Sequence, residues 1–440
     1  MPVTQIFSSK SSISVRKRLA IYSLILCVII FLLFESLNKG DFHIFLEASK
    51  SLINGENIYK RTYFDGYHYF YSLLFTIIIY PLTFLPPQLA VFFWLSFNIF
   101  ILYRLYITTS KLLPVQLLTL KSQKWFWAIT IIFSSRLIWE NLHVAQITIF
   151  LLYLCLEGLY FIHIKKVFVG TVFIAFGINI KLLPIVLLPY LLYRRKFKAA
   201  GLILLFATFF LFIPILLIGT EKFEQLMTTW LNLVNPLNTP HVLDVEERSF
   251  HSLTTLLSTL FVENVPDIYA LKIKRNVANV SLENLTRIIT TARVILVIFT
   301  LYFLRSRPFT KVKDCLQRFW EMSYILCLIP LIFPHQQHYA FLFMIPAYTY
   351  CVYYILHYHN HLSVLKKYSV ITFLGIIYLL VNLKLILGNF NNYYEHFKIL
   401  TYGAIFLLVV LSILIPPKSL KNSYFFVLNI IFSTTFFLLH

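Results

Sequence analysis

Residues 167–193 read VFVGTVFIAFGINIKLLPIVLLPYLLY, an apolar run that Lys181 and Pro184 interrupt near its middle. Basic residues flank the run on both sides, Lys165-Lys166 before it and Arg194-Arg195-Lys196 after it. A helix needs about 20 apolar residues to cross a bilayer, so this run is too short for two crossings. Because both flanks carry the positive charge typical of cytoplasmic loops, we expect two half-helices that enter the membrane, meet at Lys181 and return.

The whole chain has the composition of a membrane protein. Of its 440 residues, 59% are hydrophobic and 13% are charged, and the mean hydropathy is +0.77. So few polar side chains could not cover a soluble protein of this size, which excludes a cytosolic enzyme, a DNA-binding protein and a secreted disulfide scaffold. The apolar runs are continuous rather than alternating, which excludes an outer-membrane barrel.

The predicted fold is therefore all-α, a polytopic bundle of roughly 11–14 transmembrane spans in a single domain over residues 1–440. Apolar runs lie near 19–37, 71–86, 89–109, 124–139, 143–163, 167–193, 199–219, 288–304, 319–334, 339–357, 368–388, 399–415 and 424–440. The first run lacks a small-residue cleavage site and is longer than a usual signal core, so we expect a retained span rather than a signal peptide.

The formal net charge of +20 orients the protein rather than indicating nucleic acid as a partner. Lys and Arg concentrate in cytoplasmic loops, which places 38–70 and 220–287 on the extracytoplasmic side of the cytoplasmic membrane. Two full spans between 71 and 109 would leave Lys111 on the wrong side. Either one of these segments is half-length or re-entrant, or the span count is off by one.

Asp41 and Lys181 are the strongest candidates for chemistry. Asp41 follows the first span closely, where partial burial would raise the pKa of a carboxylate toward that of a general base; a solvated helix-capping acid is the alternative. A lone Lys181 inside an apolar run costs roughly 2.5–3.5 kcal/mol on insertion scales and is a functional candidate by default. Lys is also a good partner for phosphate, although a long Lys side chain can reach an interface instead.

Further polar residues cluster at predicted outer turns. We predict substrate-binding roles for Arg136, Asn141, Gln146, His335 and His338. For each cluster an ordinary interfacial turn is the alternative. His335 and His338 lack a third or fourth ligand nearby in the sequence, so no metal site is predicted, and no nucleotide-binding glycine loop occurs.

The order and spacing of these motifs resemble the integral-membrane GT-C glycosyltransferases, specifically glycosyltransferase family 87. The resemblance spans roughly residues 15–350 and rests on Asp41, Glu47-Ala48, Asn54–Tyr59, Tyr71, Pro81–Pro86, Asn141–Gln146, Gly170–Pro184, Arg194–Lys196, Ser252-Leu253 and Pro334–His338. The chain departs from the family pattern at four places: Ala145 replaces its usual Gly, Thr148 its common Asn and Ser72 its common Pro, and His335-Gln336-Gln337 replaces the usual Ser and Trp residues before the His.

The resemblance implies an inverting hexosyltransferase that takes a sugar, often mannose, from a polyprenyl-phosphate donor. It implies transfer to a lipid or glycan acceptor on the extracytoplasmic face, with Asp41 as the base and no cofactor. Lys181 would hold the leaving phosphate, with His338, Arg136 or Arg248 as helpers. The alternatives from other classes are a transporter or lipid-linked sugar flippase, and a ligase or polymerase of surface polysaccharide.

Overall fold

The computed structural model describes residues 15–235, 243, 250–265, 267, 270–304, 308–312 and 314–417. Helices account for the regular structure of this part of the chain. They are α1 (Val15–Glu35), α2 (Asp41–Ile53), α3 (Leu73–Ile79), α4 (Pro87–Leu112), α5 (Leu120–His143), α6 (Thr148–His163), α7 (Val167–Ile180), α8 (Leu187–Tyr193), α9 (Phe197–Phe212), α10 (Ile215–Ile218), α11 (Thr220–Val234), α12 (Leu253–Phe261), α13 (Leu282–Leu304), α14 (Cys315–Ile332), α15 (Ile345–Tyr358), α16 (Val364–Asn382), α17 (Asn391–His396) and α18 (Ile399–Ile413).

The predicted fold class, a polytopic helical membrane protein, is confirmed. Among the described residues, seven helices are long and apolar enough to cross a membrane, or eight if the bent pair Gly388–His396 and Ile399–Ile413 forms one span. This number is below the predicted 11–14 because several predicted spans are shorter apolar helices of 10–17 residues, such as Thr148–His163 and Val167–Ile180. The predicted run at 424–440 lies outside the described residues.

The predicted run at 71–86 is a half-length element. It folds as the seven residues of α3 followed by a 3₁₀ turn at Tyr80–Phe84, and Pro81 and Pro86 limit any longer helix. Of the two elements between residues 71 and 112, α4 alone is long enough to cross a membrane. Lys111, near its end, lines one pocket together with His163 and Arg318. The prediction of a half-length element between 71 and 109 is thereby confirmed. The end of the bundle that contains Lys111, His163 and Arg318 is called here the basic end.

The run at 167–193 is broken at Lys181, as predicted. The helix α7 ends at Ile180, Lys181 is extended (φ −150°, ψ 133°), and a 3₁₀ turn at Leu183–Val186 leads into α8. Helices α6 and α7 pack closely because Gly158 and Gly170 face each other; a Cβ on Gly170 would lie 2.4 Å from the Gly158 carbonyl oxygen. At 1.5 Å per residue the 14 residues of α7 are about 21 Å long, shorter than the membrane core of about 30 Å, so α7 alone is too short to cross a membrane.

The two predicted polar segments, 38–70 and 220–287, meet at the other end of the bundle. Helix α11 buries Phe223, Leu226 and Trp230. Its Trp230 indole N–H donates to the Phe70 carbonyl over 3.1 Å, and Thr229 accepts a hydrogen bond from Asn57 over 3.3 Å. The first polar segment and α11 thus form one cap over the helix ends.

Candidate active site

A cavity opens beneath this cap, with a volume of about 1010 Å³ including its mouth. Its walls come from α2, the break at Lys181, helix α11 and the segment that follows α14. They bring together three predicted site residues, Asp41, Lys181 and His335. The other lining residues are Ile44, Phe45, Tyr67, His68, Phe70, Tyr71, Leu182, Leu183, Trp230, Val234, Phe333, Pro334, Gln336, Gln337 and Tyr339.

Asp41 is fixed by a close backbone approach. It is the first residue of α2, and its N–H donates to the Val144 carbonyl over 2.9 Å. A Cβ at the preceding Gly40 would lie 2.7 Å from that same carbonyl oxygen, so only glycine permits the approach. The side-chain amide of Gln146 donates a hydrogen bond to Asp41 Oδ2, which holds the carboxylate toward the cavity wall.

The turn at 141–146 lies behind the cavity and orders several of its wall residues. Asn141 Nδ2 donates to the Tyr339 carbonyl over 3.0 Å, and Gln146 Oε1 accepts from the Tyr71 hydroxyl over 3.0 Å. Both polar side chains are fully buried, and neither is among the lining residues of the cavity. Ala145 has a left-handed φ of 52°, a conformation that glycine adopts most readily.

Burial raises the pKa of Asp41 to about 6. The hydrogen bond from Gln146 and the positive charge of Lys181 both oppose this rise. Desolvation disfavours the charged form, whereas hydrogen bonds and opposite charges favour it. The result is a carboxylate that is ionised at neutral pH and still basic enough to accept a proton.

Lys181 faces two aromatic rings of the cavity wall. Its Nζ lies 5.1 Å from the ring centre of Tyr71 and 5.6 Å from that of Tyr339, both within the range of cation–π attraction. The hydroxyl group of Tyr71 also donates a hydrogen bond to Gln146, which in turn donates one to Asp41. Tyr71 therefore contacts Lys181 directly and Asp41 through Gln146. The two predicted chemical groups therefore belong to a single connected wall.

His335 contributes an aromatic face. Its ring stacks on Phe70 at 5.6 Å between centroids and 14° between planes, and its left-handed φ of 56° turns the backbone at this point. Phe70, Tyr71, Trp230 and Tyr339 line the cavity but were not predicted as specific site residues. The sequence signals for Phe70 and Tyr71 were the density of aromatic residues near 59–71 and, for Tyr71, the family resemblance.

Arg136 lies apart from the cavity, in what we call the buried ion network. It is fully buried, its Nε lies 2.8 Å from Glu140 Oε1, and its Nη1 donates to the Tyr394 hydroxyl over 2.6 Å. The network continues through Lys384, which pairs with Glu395 over 2.7 Å, and Glu395 in turn contacts His251 Nε2 over 2.7 Å. In this network the positive charges of Arg136 and Lys384 pair with the negative charges of Glu140 and Glu395. None of these four residues lines the cavity.

His338 also stands beside the network and does not line the cavity. Its ring centroid lies 6.1 Å from that of His251. Arg248 falls outside the described residues. Within the described part of the chain, no group of three His, Cys, Asp or Glu side chains could hold a metal ion.

A family model, glycosyltransferase family 87, matches residues 69–316, which is more than half of the chain. The chain belongs to glycosyltransferase family 87. It is a glycosyltransferase of the membrane, and the predicted resemblance to this family is confirmed. No curated protein and no solved structure matches the chain. The matched range of this family 87 protein contains Lys181, while Asp41 and His335 lie outside it and join Lys181 through the fold.

Proposed function

We propose that this family 87 glycosyltransferase moves a hexose, mannose in the first instance, from a polyprenyl-phosphate donor to a lipid or glycan acceptor. Transfer takes place in the cavity at Asp41 and Lys181, on the extracytoplasmic side of the cytoplasmic membrane. The observation that supports the proposal is that a carboxylate, Asp41, and an ammonium group, Lys181, line one cavity.

The proposed reaction is a single inverting displacement. The acceptor hydroxyl oxygen bonds to the anomeric carbon, and the bond from that carbon to the donor phosphate oxygen breaks. The electron pair leaves with the lipid phosphate, and the hydroxyl proton passes to Asp41, whose pKa of about 6 suits a general base. Lys181 stabilises the negative charge that develops on the leaving phosphate. The step requires no metal or organic cofactor.

The walls of the cavity suit such a donor. Leu182, Leu183 and Phe333 supply an apolar surface near Lys181 for the prenyl chain. Gln336, Gln337 and the rings of Phe70 and Trp230 supply neutral hydrogen-bonding and stacking groups for a sugar. The choice of mannose rests on the family resemblance alone.

The activity test uses the purified full chain in lipid nanodiscs with a panel of polyprenyl-phosphate sugars. Mannose, glucose, galactose and N-acetylglucosamine donors are compared, and release of polyprenyl phosphate is measured with and without a membrane-glycolipid extract as acceptor. We expect release that depends on acceptor and is fastest with the mannose donor. Release from a nucleotide sugar but from none of the lipid donors would contradict the proposed donor class.

Sidedness is tested by labelling with a membrane-impermeant thiol reagent. In a variant without the five native cysteines, a cysteine at the exposed position Asn54 should be labelled in intact cells. A cysteine at the exposed position Lys166 serves as the matched control and should be labelled only after permeabilisation. The reverse pattern would place the cavity on the cytoplasmic side.

A further inference from the structure

A second polar pocket lies at the basic end of the bundle, far along α4 and α6 from the turn that supports Asp41. It contains about 400 Å³ of empty space, including its open mouth. The end of α4, the end of α6 and the start of α14 form it, and its lining residues are Lys111, Leu112, Tyr160, His163, Ile164, Cys315, Arg318, Phe319 and Met322. Among the described residues, the lining contains two cations and a histidine but no carboxylate.

Positive charge accumulates around this pocket beyond its lining. Burial, together with the nearby charges of Arg318 and Lys311, lowers the pKa of Lys196. Arg318 also stands in the first turn of α14, where the helix dipole disfavours a cation and favours an anion. Lys111 and His163 lie in the last turns of α4 and α6, where the helix dipole favours cations. The helix dipole therefore stabilises these two residues but not Arg318.

The acids of the neighbouring helices already have partners. Glu157 of α6 pairs with Arg104 over 3.0 Å, and Glu321 of α14 pairs with Arg194 over 2.6 Å. Asp314 accepts the Gln317 N–H over 3.1 Å as the cap of α14. The pocket also leaves His163 Nδ1 buried without a hydrogen-bond partner. An anion in the pocket would supply both the missing negative charge and the missing acceptor.

We propose that this pocket binds the phosphate headgroup of an anionic membrane lipid. Lys111 and Arg318 contact the phosphate oxygens, His163 hydrogen-bonds to them, and Leu112, Phe319 and Met322 contact the first part of an acyl chain. The pocket lies where two candidate spans, Pro87–Leu112 and Cys315–Ile332, reach their ends. This is the depth at which basic pockets between transmembrane helices hold anionic headgroups.

The test measures lipid binding by the delipidated full chain in neutral detergent, using native mass spectrometry and the unfolding temperature. The probes are phosphatidylglycerol, phosphatidylcholine and inorganic phosphate. We expect phosphatidylglycerol to bind and to raise the unfolding temperature more than the other two. In the double variant Lys111→Gln/Arg318→Gln, its affinity should fall on the order of thirtyfold, since each removed cation contributes about fivefold.

A matched control removes the same charge from the same end outside the pocket. Lys121 and Lys124 are exposed on α5, and the double variant Lys121→Gln/Lys124→Gln should bind phosphatidylglycerol within twofold of the wild type. If the pocket variant does not fold, Lys111→Gln alone carries the test because this side chain is exposed; about a fivefold loss is expected.

Three results would overturn the proposal. Equal losses in the pocket and control variants would reduce the effect to general surface charge. Unchanged binding in the pocket variants would remove the site. Stabilisation by inorganic phosphate as strong as that by phosphatidylglycerol would assign the pocket to a free anion instead of a lipid.

Discussion

The cavity around Asp41 and the buried ion network around Arg136 both contain charged groups that are largely shielded from water, but the groups that surround these charges differ. In the network, Arg136, Glu140, Lys384 and Glu395 pair with one another in a chain of opposite charges. In the cavity, Asp41 and Lys181 border about 1010 Å³ of space together with aromatic and amide groups. The charges of the network meet one another, whereas those of the cavity border open space.

This difference separates two roles that look alike in the sequence. A buried ion pair contributes little net stability, yet removing one partner is costly because it leaves the other charge uncompensated. Charged groups beside an open cavity have room for a substrate whose charge changes during a reaction. We therefore expect changes in the network to affect stability and changes in the cavity to affect transfer.

The largest expected effect follows from Asp41→Asn. The amide keeps the shape of the side chain but cannot accept the proton, so transfer should fall by about 10²–10⁴-fold, while the donor still binds. Single-turnover release of lipid phosphate measures this loss. Glu56→Gln removes an exposed carboxylate of the same polar segment and should leave the rate within twofold; near-normal turnover by Asp41→Asn would remove Asp41 from the role of base.

Arg136→Met tests the other half of the comparison. The substitution removes the ion pair between Arg136 and the buried Glu140. The free energy of unfolding, measured by denaturant titration, should therefore fall by about 3–5 kcal/mol. The double variant Arg136→Met/Glu140→Leu should recover part of this loss because no uncompensated carboxylate remains at that position. A stable Arg136→Met variant with weakened donor binding would instead support the substrate-binding role predicted from the sequence.

The raised pKa of Asp41 predicts two opposite dependences on pH. Transfer should fall as the pH drops through about 6, because the base becomes protonated. The contribution of Asp41 to the free energy of unfolding should decrease as the pH rises from 3.8 to about 6, because the folded state binds this proton more tightly than the unfolded state does. The difference in the free energy of unfolding between the wild type and Asp41→Asn should therefore change over this pH range; a difference that does not depend on pH would contradict the raised pKa.

The smallest effect is expected from Gln146→Met. Losing the hydrogen bond to Asp41 removes one influence that lowers the pKa of Asp41, so the acidic limb of the rate profile should move to higher pH by less than about one unit. Tyr71→Phe is the control, because it keeps the ring facing Lys181 and the hydrogen bond from Gln146 to Asp41. A uniform loss of rate without a shifted limb would limit Gln146 to a structural role.

Local sequence patterns predicted the parts of the fold that depend on short-range physics. The break at Lys181 follows from a charge and a proline within a run too short for two crossings, and the half-length element follows from the position of Lys111. Asp41 was located by its place after the first span. Each of these features depends on the chain within about 30 residues of itself, which is the length that a span and its flanks occupy.

Contacts between distant parts of the chain could not be predicted in this way. Arg136 meets Tyr394, 258 positions away, and nothing near either residue in the sequence indicates the other. The stacking of His335 on Phe70 and the hydrogen bond from Trp230 to the Phe70 carbonyl also join residues that are far apart in the sequence. In a chain with 44 Phe and 28 Tyr, only the packed structure distinguishes the rings of the cavity from those that face lipid.

The proposed binding of the donor phosphate by Lys181 can be measured as the equilibrium affinity of polyprenyl-phosphate mannose for variants in nanodiscs. Lys181→Met keeps most of the side-chain volume and removes the charge, so the dissociation constant should rise by about 10- to 100-fold. Lys181→Arg should recover part of the affinity, since its larger planar group keeps the charge. Lys39→Met, which removes an exposed charge two residues before Asp41, should bind like the wild type. If Lys181→Met bound the donor as tightly as the wild type, Lys181 would not be the group that binds the donor phosphate.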